Sequence, residues 1–420
     1  MSDMRRSITA LCLALVALCA MGSAMGEMPR GSFLQPYLCM KWDDARWQQE
    51  FASMREAGMD FVILMSTVTT DTAGVSRAIY PSAIEGVQPA DEDVVEACLR
   101  NASRCGMKVM TGLNFDDRWW QLASGGMPLW LEPQLELGNK VAAEIVHRYG
   151  ASYGDVMMGW YWVWEVEPSC CANPMVLEVL TQALNVNLDC LHALTPGKPV
   201  MLSPFMNQAT GTASECAAVW KHLLGEAHFA DGDIFAPQDC IGSGYLTMYS
   251  VGEWFARLRE VIPTKPAVRF WANLELFDQR TWASADMGRV KRQHDLVAES
   301  VDGYITFAYS HYISPWHKAE ALHRAYCHYV TTGTLLDSPA PKAVTRAKYA
   351  NGFVSWEHTS DNEWLLGYRV RRDGELVADM QLTRQGGCKC VLKAEQAGSY
   401  AITACDVWGR ESTAVEVTVP

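Results

Sequence analysis

The stretch Gly159-Trp160-Tyr161-Trp162-Val163-Trp164-Glu165-Val166-Glu167 joins an aromatic run to two carboxylates near the middle of a 420-residue chain. Aromatic residues at this density suit a buried strand, whereas acids at its carboxyl end need water, a partner or a ligand. That contrast is a first hint of an active site. The bland reading is that Glu165 and Glu167 only begin a solvated loop, so the neighbouring segments have to decide.

Working outward from Val156–Trp162, strand-like and helix-like segments alternate in both directions. Upstream lie a helix at Glu132–Tyr149, a strand at Lys108–Asn114, a helix at Asp91–Arg104 stopped by Gly106, a strand at Phe61–Ser66, a helix at Asp43–Ala57 and a strand at Ser32–Pro36. The stretch around Tyr80-Pro81 reads as a long loop. Downstream, the strands Val200–Asn207, Ile234–Asp239, Val268–Leu274 and Tyr304–Tyr309 alternate with helices at Pro174–Leu194, Ser214–Leu224, Val251–Val261, Asp286–Ser300 and Lys318–Val330, with Ser214 as a cap. Eight strand and helix pairs over residues 30–335 predict a (β/α)8 barrel of the α/β class. A doubly wound sheet is the competing architecture, and the absence of a Gly-rich phosphate turn counts against it.

Beyond Ser338-Pro339-Ala340-Pro341 the texture changes to short alternating strands: Gly352–Trp356, Leu366–Arg372 before Asp373-Gly374, and Ser399–Cys405. These predict a small all-β sandwich over residues 340–420, and their Trp, Tyr-Arg-Val and Tyr-x-Ile-x-Ala pattern resembles a fibronectin type III module. Its expected role is that of a spacer or a packing partner for the barrel.

At the amino terminus, Arg5 and Arg6, the apolar run Ile8–Met21 and Gly22-Ser23-Ala24 fit a signal peptide over residues 1–26. The expectation is a secreted or periplasmic protein. Lipoprotein anchoring is the weaker alternative, because leucine precedes both Cys12 and Cys19. No later segment offers about 18 uninterrupted apolar residues, so no membrane span is expected in the mature chain. A net charge of −13 leaves no basic surplus to neutralise phosphates, which argues against nucleic acid as a partner. The fourteen cysteines show no zinc spacing; a bridge from Cys388 or Cys390 to Cys405 is open. No metal and no cofactor are expected. A metal-dependent hydrolase using Asp239, His311 and His317 is disfavoured, since no close ligand pair marks a strand end.

Period-two alternation points Arg269, Trp271, Asn273 and Glu275 of the seventh strand into the barrel, and Tyr161, Val163 and Glu165 of the fourth. Trp160, Trp162 and Trp164 then face the helices. Two glutamates aimed at one cavity suit glycosidic cleavage, in which one carboxyl protonates the leaving oxygen and the other acts on the opposite side of the sugar. Hydroxyl-rich ligands need donors, acceptors and aromatic faces. The strand ends provide such groups in Gln35, Asn114, Asp116, Tyr161, Asn207, Gln238, Asp239, Trp271, Asn273 and Tyr309, followed by His311 and Tyr312. Trp119, Trp120 and Trp316 either line subsites or pack beneath loops.

The segments Ser32–Pro36, Gly159–Glu165, Ser203-Pro204-Phe205, Phe235–Asp239 and Trp271–Glu275 resemble those of the glycosyl-hydrolase-like family catalogued as domain of unknown function 4434. The resemblance runs from about Ser32 to Pro315. That family is similar in layout to barrel glycosidases with the acid/base at the end of strand four and the nucleophile at the end of strand seven. It implies Glu165 as acid/base, Glu275 as nucleophile, a retaining mechanism and a poly- or oligosaccharide substrate. A carbohydrate-binding barrel without catalysis is the alternative, and Glu167 is the rival for the acid. One departure stands out: many of those glycosidases have Asn before the strand-four glutamate, and here the residue is Trp164.

Overall fold

A computed structural model describes residues 28–121, 127–357, 362–384, 387, 388 and 390–420. The expected signal peptide lies outside the described residues. Among the described residues no helix is long and apolar enough to cross a membrane.

Eight parallel strands close into a barrel: β1 (Gly31–Leu34), β2 (Phe61–Leu64), β3 (Lys108–Gly112), β4 (Met157–Trp162), β5 (Val200–Leu202), β6 (Ile234–Phe235), β7 (Arg269–Glu275) and β8 (Gly303–Phe307). Each pairs with its sequence neighbours, and β8 closes the ring on β1. The connecting helices are α1 (Asp44–Glu56), α2 (Val94–Cys105), α3 (Met127–Tyr153), α4 (Pro174–Leu194), α5 (Ala213–Glu226), α6 (Val251–Arg259), α7 (Met287–Val297) and α8 (Glu320–Thr332). Side-chain oxygens of Asp43, Asp93, Asn173 and Asp286 accept the first free amides of α1, α2, α4 and α7. At α5 the cap is Thr212 rather than Ser214, because Glu215 returns the bond to Thr212 and completes a capping box.

Alternation sorts the side chains as expected. On β4 the Tyr161 ring meets Phe33 edge-on inside the barrel at 5.0 Å. Trp160 and Trp162 turn outward, where their indole N–H groups donate to Thr195 (2.8 Å) and Asn187 (3.0 Å) on and beside α4. On β7, Phe270 faces outward between Phe235 and Phe255. Gly159 lets β4 approach β5, since a Cβ there would stand 2.3 Å from the Pro199 carbonyl.

Two local expectations are corrected. The loop around Tyr80 is folded: Val68–Thr70 pairs with Ser76–Ala78 and, beyond β3, with Asn114–Asp116, while Val87–Gln88 adds a fourth strand. Each strand has only two or three residues, too few for alternation to register. Helix α3 begins at Met127 rather than Glu132 and runs through Pro133, against the usual disruption of a helix by proline.

The carboxyl-terminal strands are β9 (Thr345–Ala350), β10 (Phe353–Glu357), β11 (Leu365–Arg372), β12 (Glu375–Gln381), β13 (Val391–Lys393), β14 (Gly398–Asp406) and β15 (Val415–Val419). They form antiparallel sheets in the orders β9-β10-β13 and β12-β11-β14-β15 around one core that includes Val354, Trp356, Tyr368, Tyr400 and Ile402. Cys405 is a buried free thiol, so the bridge to Cys388 or Cys390 is not formed.

This β unit docks on the start of α7. Arg369 forks between Asp286 (2.9 Å), Asp379 (3.2 Å) and Glu411 (3.0 Å), all largely buried. Gln381 exchanges two hydrogen bonds with the Ser284 backbone, and the Met287 amide donates to the Val407 carbonyl at 2.8 Å. Removing the shared cation leaves buried Asp379 without its ion pair, which costs about 3–5 kcal/mol, while Asp286 keeps the Arg289 amide and Glu411 keeps Arg371 and Thr403. Arg369→Ala is therefore expected to lower the urea midpoint of unfolding sharply, and Arg369→Lys, which keeps the charge without the fork, to recover only part of the loss.

Candidate active site

The carboxyl ends of the strands surround a cavity of about 660 Å³ that Glu165 and Glu275 both line. Gln35, Gln238, Ser243, Gln279 and His311 supply polar groups, and Tyr37, Trp120, Phe205, Tyr245, Phe277, Trp282, Phe307 and Tyr312 supply rings. The two glutamates reach it from β7 and from the residues that continue β4, as alternation requires.

Glu165 is half-buried close to Tyr161, and the Trp119 indole donates to its backbone carbonyl at 3.2 Å. Burial raises its carboxyl from the usual 4.5 to about 7, and a hydrogen bond from Gln238 only partly offsets this. Gln238 is itself oriented by donating to the Ser203 carbonyl at 3.1 Å. Glu275 is buried and accepts the Ser243 amide at 2.7 Å. Gly242 permits that contact: a Cβ there would lie 2.3 Å from the Phe277 carbonyl and 3.0 Å from the Glu275 carboxylate.

Behind Glu275 lies Asp239, with no exposed surface. One Asp239 oxygen accepts the amides of Ile241 (3.2 Å) and Glu275 (3.3 Å), and the other accepts the Gln293 side chain at 2.5 Å. Gln293 also donates to the Glu275 carbonyl (3.1 Å), and Arg289 donates to the carbonyls of Glu275 (3.0 Å) and Phe277 (2.6 Å). Both residues project from α7, the helix on which the β unit docks. Burial first, and then the neighbouring Asp239 charge, push the Glu275 carboxyl up; burial also raises Asp239. Two buried carboxyls this close resist ionising together.

Of the ten residues expected to bind substrate, Gln35 and Gln238 line the cavity and eight do not. Asn114 is buried and donates to Gln134; Asp116 is buried under a two-pronged ion pair with Arg118. Tyr161 and Asn273 face inward but below the mouth, Asn273 donating to Ser203 at 3.0 Å. Trp271 lies near the opposite end of the barrel beside Phe61, at 6.0 Å. Asn207 lines a separate cavity of about 480 Å³. Asp239 backs Glu275 rather than facing ligand, and Tyr309 turns away from the mouth to bond His323 at 2.9 Å. For Tyr161, Trp271 and Asn273 alternation chose a face without fixing depth along the strand, and the other five were chosen only as polar or aromatic groups at strand ends.

The rival acid Glu167 caps the short helical turn Pro168–Cys171 and accepts from Thr210 at 3.0 Å, away from the cavity. Trp164 packs among Phe115, Trp119 and Trp130, and Trp316 lies against Arg46 and Arg384. Trp120 is 55% exposed at the rim. Tyr37, Phe205, Tyr245, Phe277 and Trp282 were not foreseen, because they lie in loops or in elements of two to four residues, and Phe205 lies where the expected strand Val200–Asn207 has already ended at Leu202. Trp282 is 60% exposed, stacks on Phe277 and adopts φ +54°, a strained conformation for a bulky residue.

Fold and cavity together define a (β/α)8 barrel with a two-glutamate site at its mouth. The chain matches the family described as a domain of unknown function (DUF4434) over residues 30–319, and it belongs to that family. Comparison with functionally curated proteins finds no match. Among solved structures, the fold is similar to a Bacteroides thetaiotaomicron protein provisionally described as an alpha-L-fucosidase, with 21% identity and a TM-score of 0.61 over 73% of this chain and 94% of that one. A Pseudoalteromonas aurantia chitinase aligns at 11% identity and a TM-score of 0.46, over 73% of this chain and 100% of that one. At 21% identity the likeness to the first of these is one of fold.

Asp239→Asn removes the negative charge behind Glu275 and keeps an oxygen for the Glu275 amide. The Glu275 carboxyl, followed by carbon-13 NMR, is expected to titrate about one pH unit or more lower in that variant. An unchanged titration would mean that Asp239 does not act on Glu275 electrostatically.

Proposed function

We propose that the protein is a glycoside hydrolase in which Glu165 is the acid/base and Glu275 the nucleophile. The observation that carries this reading is one ring-lined cavity holding two glutamates in different surroundings. Glu165, uncharged until about pH 7, suits protonation of a departing glycosidic oxygen. Glu275 suits attack on the anomeric carbon in its ionised form, which the Ser243 amide and Arg289 favour against the opposing effects of burial and the Asp239 charge. A glycosyl-enzyme would then form on Glu275, and water, deprotonated by Glu165, would release the sugar with retained configuration. With Trp164 packed away, Gln35, Gln238 and Gln279 are the side-chain amides available to the sugar hydroxyls. The exposed rings of Trp120, Tyr245 and Trp282 suit its C–H faces. The apolar amino-terminal segment is read as an export signal, so the protein acts outside the cytoplasm.

Incubating the protein with a broad glycan library and reading products by mass spectrometry tests the activity; NMR of the first-formed anomer tests retention. Glu165→Gln and Glu275→Gln are each expected to lower kcat by about 10²–10⁴-fold or more while binding persists. A wild-type protein that binds glycans and cleaves none would identify a binding protein instead.

The pH dependence follows from the protonated form of Glu165 being the working acid. The rate should fall about tenfold per pH unit above pH 7. Stability responds in the same window. Folded Glu165 holds its proton more tightly than the unfolded chain, so its contribution is complete below about pH 4.5 and is lost as pH rises to about 7. Glu165→Gln is accordingly expected to stabilise the protein at pH 8, by up to about 3 kcal/mol, and to leave it unchanged at pH 4. Chemical denaturation at the two pH values measures the difference.

A further inference from the structure

Beside the two-glutamate cavity lies a larger one of about 980 Å³, and Gln35 and Tyr37 line both, so the two adjoin at the barrel mouth. Each is of a size that holds a small ligand, within the usual range of about 300–1,000 Å³. Their linings differ in kind. Eight of the fifteen residues around the glutamates are Phe, Tyr or Trp, whereas only Tyr37 and Phe115 are among the twenty-two around the second cavity. Its apolar surface comes instead from Leu38, Met40, Met65, Ile79, Pro89 and Val163. Flat rings match the face of a sugar; flexible methionine and branched aliphatic side chains wrap a rounded hydrocarbon. Six charged residues also stand in its lining: Asp71 and Arg77 pair at 2.6 Å, and Lys41, Asp91, Glu92 and Asp117 complete the set.

Position adds a direction. Neither glutamate lines the second cavity, but Val163, two residues before Glu165 on the same run of chain, does, whereas none of the residues that hold Glu275 does. It therefore lies on the side of the proton donor, where the leaving group departs. Part of its wall, through Thr69, Arg77, Ala78 and Gln88, is the extra sheet of residues 68–70, 76–78 and 87–88, built from the β2 to α2 connection.

We propose that the second cavity receives the non-sugar part of the substrate, an aglycone with a flexible aliphatic body such as an alkyl or acyl chain, while the sugar occupies the ring-lined cavity. This rests on the glycosidase reading. The bond between the anomeric carbon and the glycosidic oxygen breaks, Glu165 gives its proton to that oxygen, and the aglycone leaves as an alcohol through the second cavity.

The test compares methyl and octyl pairs of glucosides, galactosides, mannosides, xylosides and fucosides below their micelle concentrations. Octyl members are expected to show kcat/KM roughly tenfold or more above their methyl partners, as added methylenes leave water. Met40→Asp, on an exposed residue of the wall, is expected to cut that ratio at least about threefold, with Met65→Gln as a second variant. A ratio near one overturns the inference and leaves the glycosidase reading standing. So does a gain seen only with longer oligosaccharides of the same sugar. If no glycoside is cleaved, the glycosidase reading fails, and calorimetry of the full chain with the same pairs decides the cavity: preferential octyl binding that Met40→Asp weakens supports it, and equal or absent binding overturns it.

Discussion

Two buried carboxyl groups, Asp239 and Glu275, stand one behind the other at the ends of β6 and β7, and the surroundings have to hold them there. Desolvation and mutual repulsion would otherwise turn one of them out. The restraint comes from Gln293 and Arg289, which bind the Glu275 and Phe277 carbonyls and the Asp239 carboxylate. Both project from α7, whose first turn is capped by Asp286, and Asp286 is gripped in turn by Arg369 of the β unit. A line of direct contacts thus runs from the β unit through a helix terminus to the proposed nucleophile.

The same docking reaches the rim. Ser284, bound twice by Gln381, belongs to the short hairpin of Phe277-Asp278 and Ala283-Ser284, and Trp282 lies in its turn. The strained Trp282 conformation persists because the hairpin is clamped from the β unit and stacked on Phe277. The expected part of spacer or packing partner is therefore incomplete: the β unit shapes one wall of the cavity as well as packing against the barrel.

The lining changes in kind from one cavity to the other. Around the glutamates, rings and a few amides surround groups whose proton affinities are raised by burial; beyond Tyr37 the rings give way to aliphatic side chains with charged residues among them. The Tyr37 hydroxyl meets both Gln35 (2.5 Å) and His311 (3.1 Å) at the junction, joining the ends of β1 and β8 across the two halves. Such a gradient suits a ligand with two chemically unlike ends better than a uniform chain.

The barrel was legible in the sequence because burial on alternating faces imposes period two on each strand and period 3.6 on each helix, and both survive in a single chain. That same alternation correctly turned Glu165 and Glu275 inward and the strand-four tryptophans outward. It could not say how high on the barrel an inward residue sits, so Trp271 and Asn273 came out as ligand contacts when they lie below the mouth. Nor could it find Phe205, Tyr245 or Trp282, whose places depend on loops closed by distant partners. Sequence by itself determined the architecture and the pair of inward glutamates, since those follow from local periodicity. Only the tertiary structure decided which polar groups share their cavity, that Asp239 backs Glu275, and that the β unit braces the site, because depth, desolvation and docking arise when segments far apart in sequence meet.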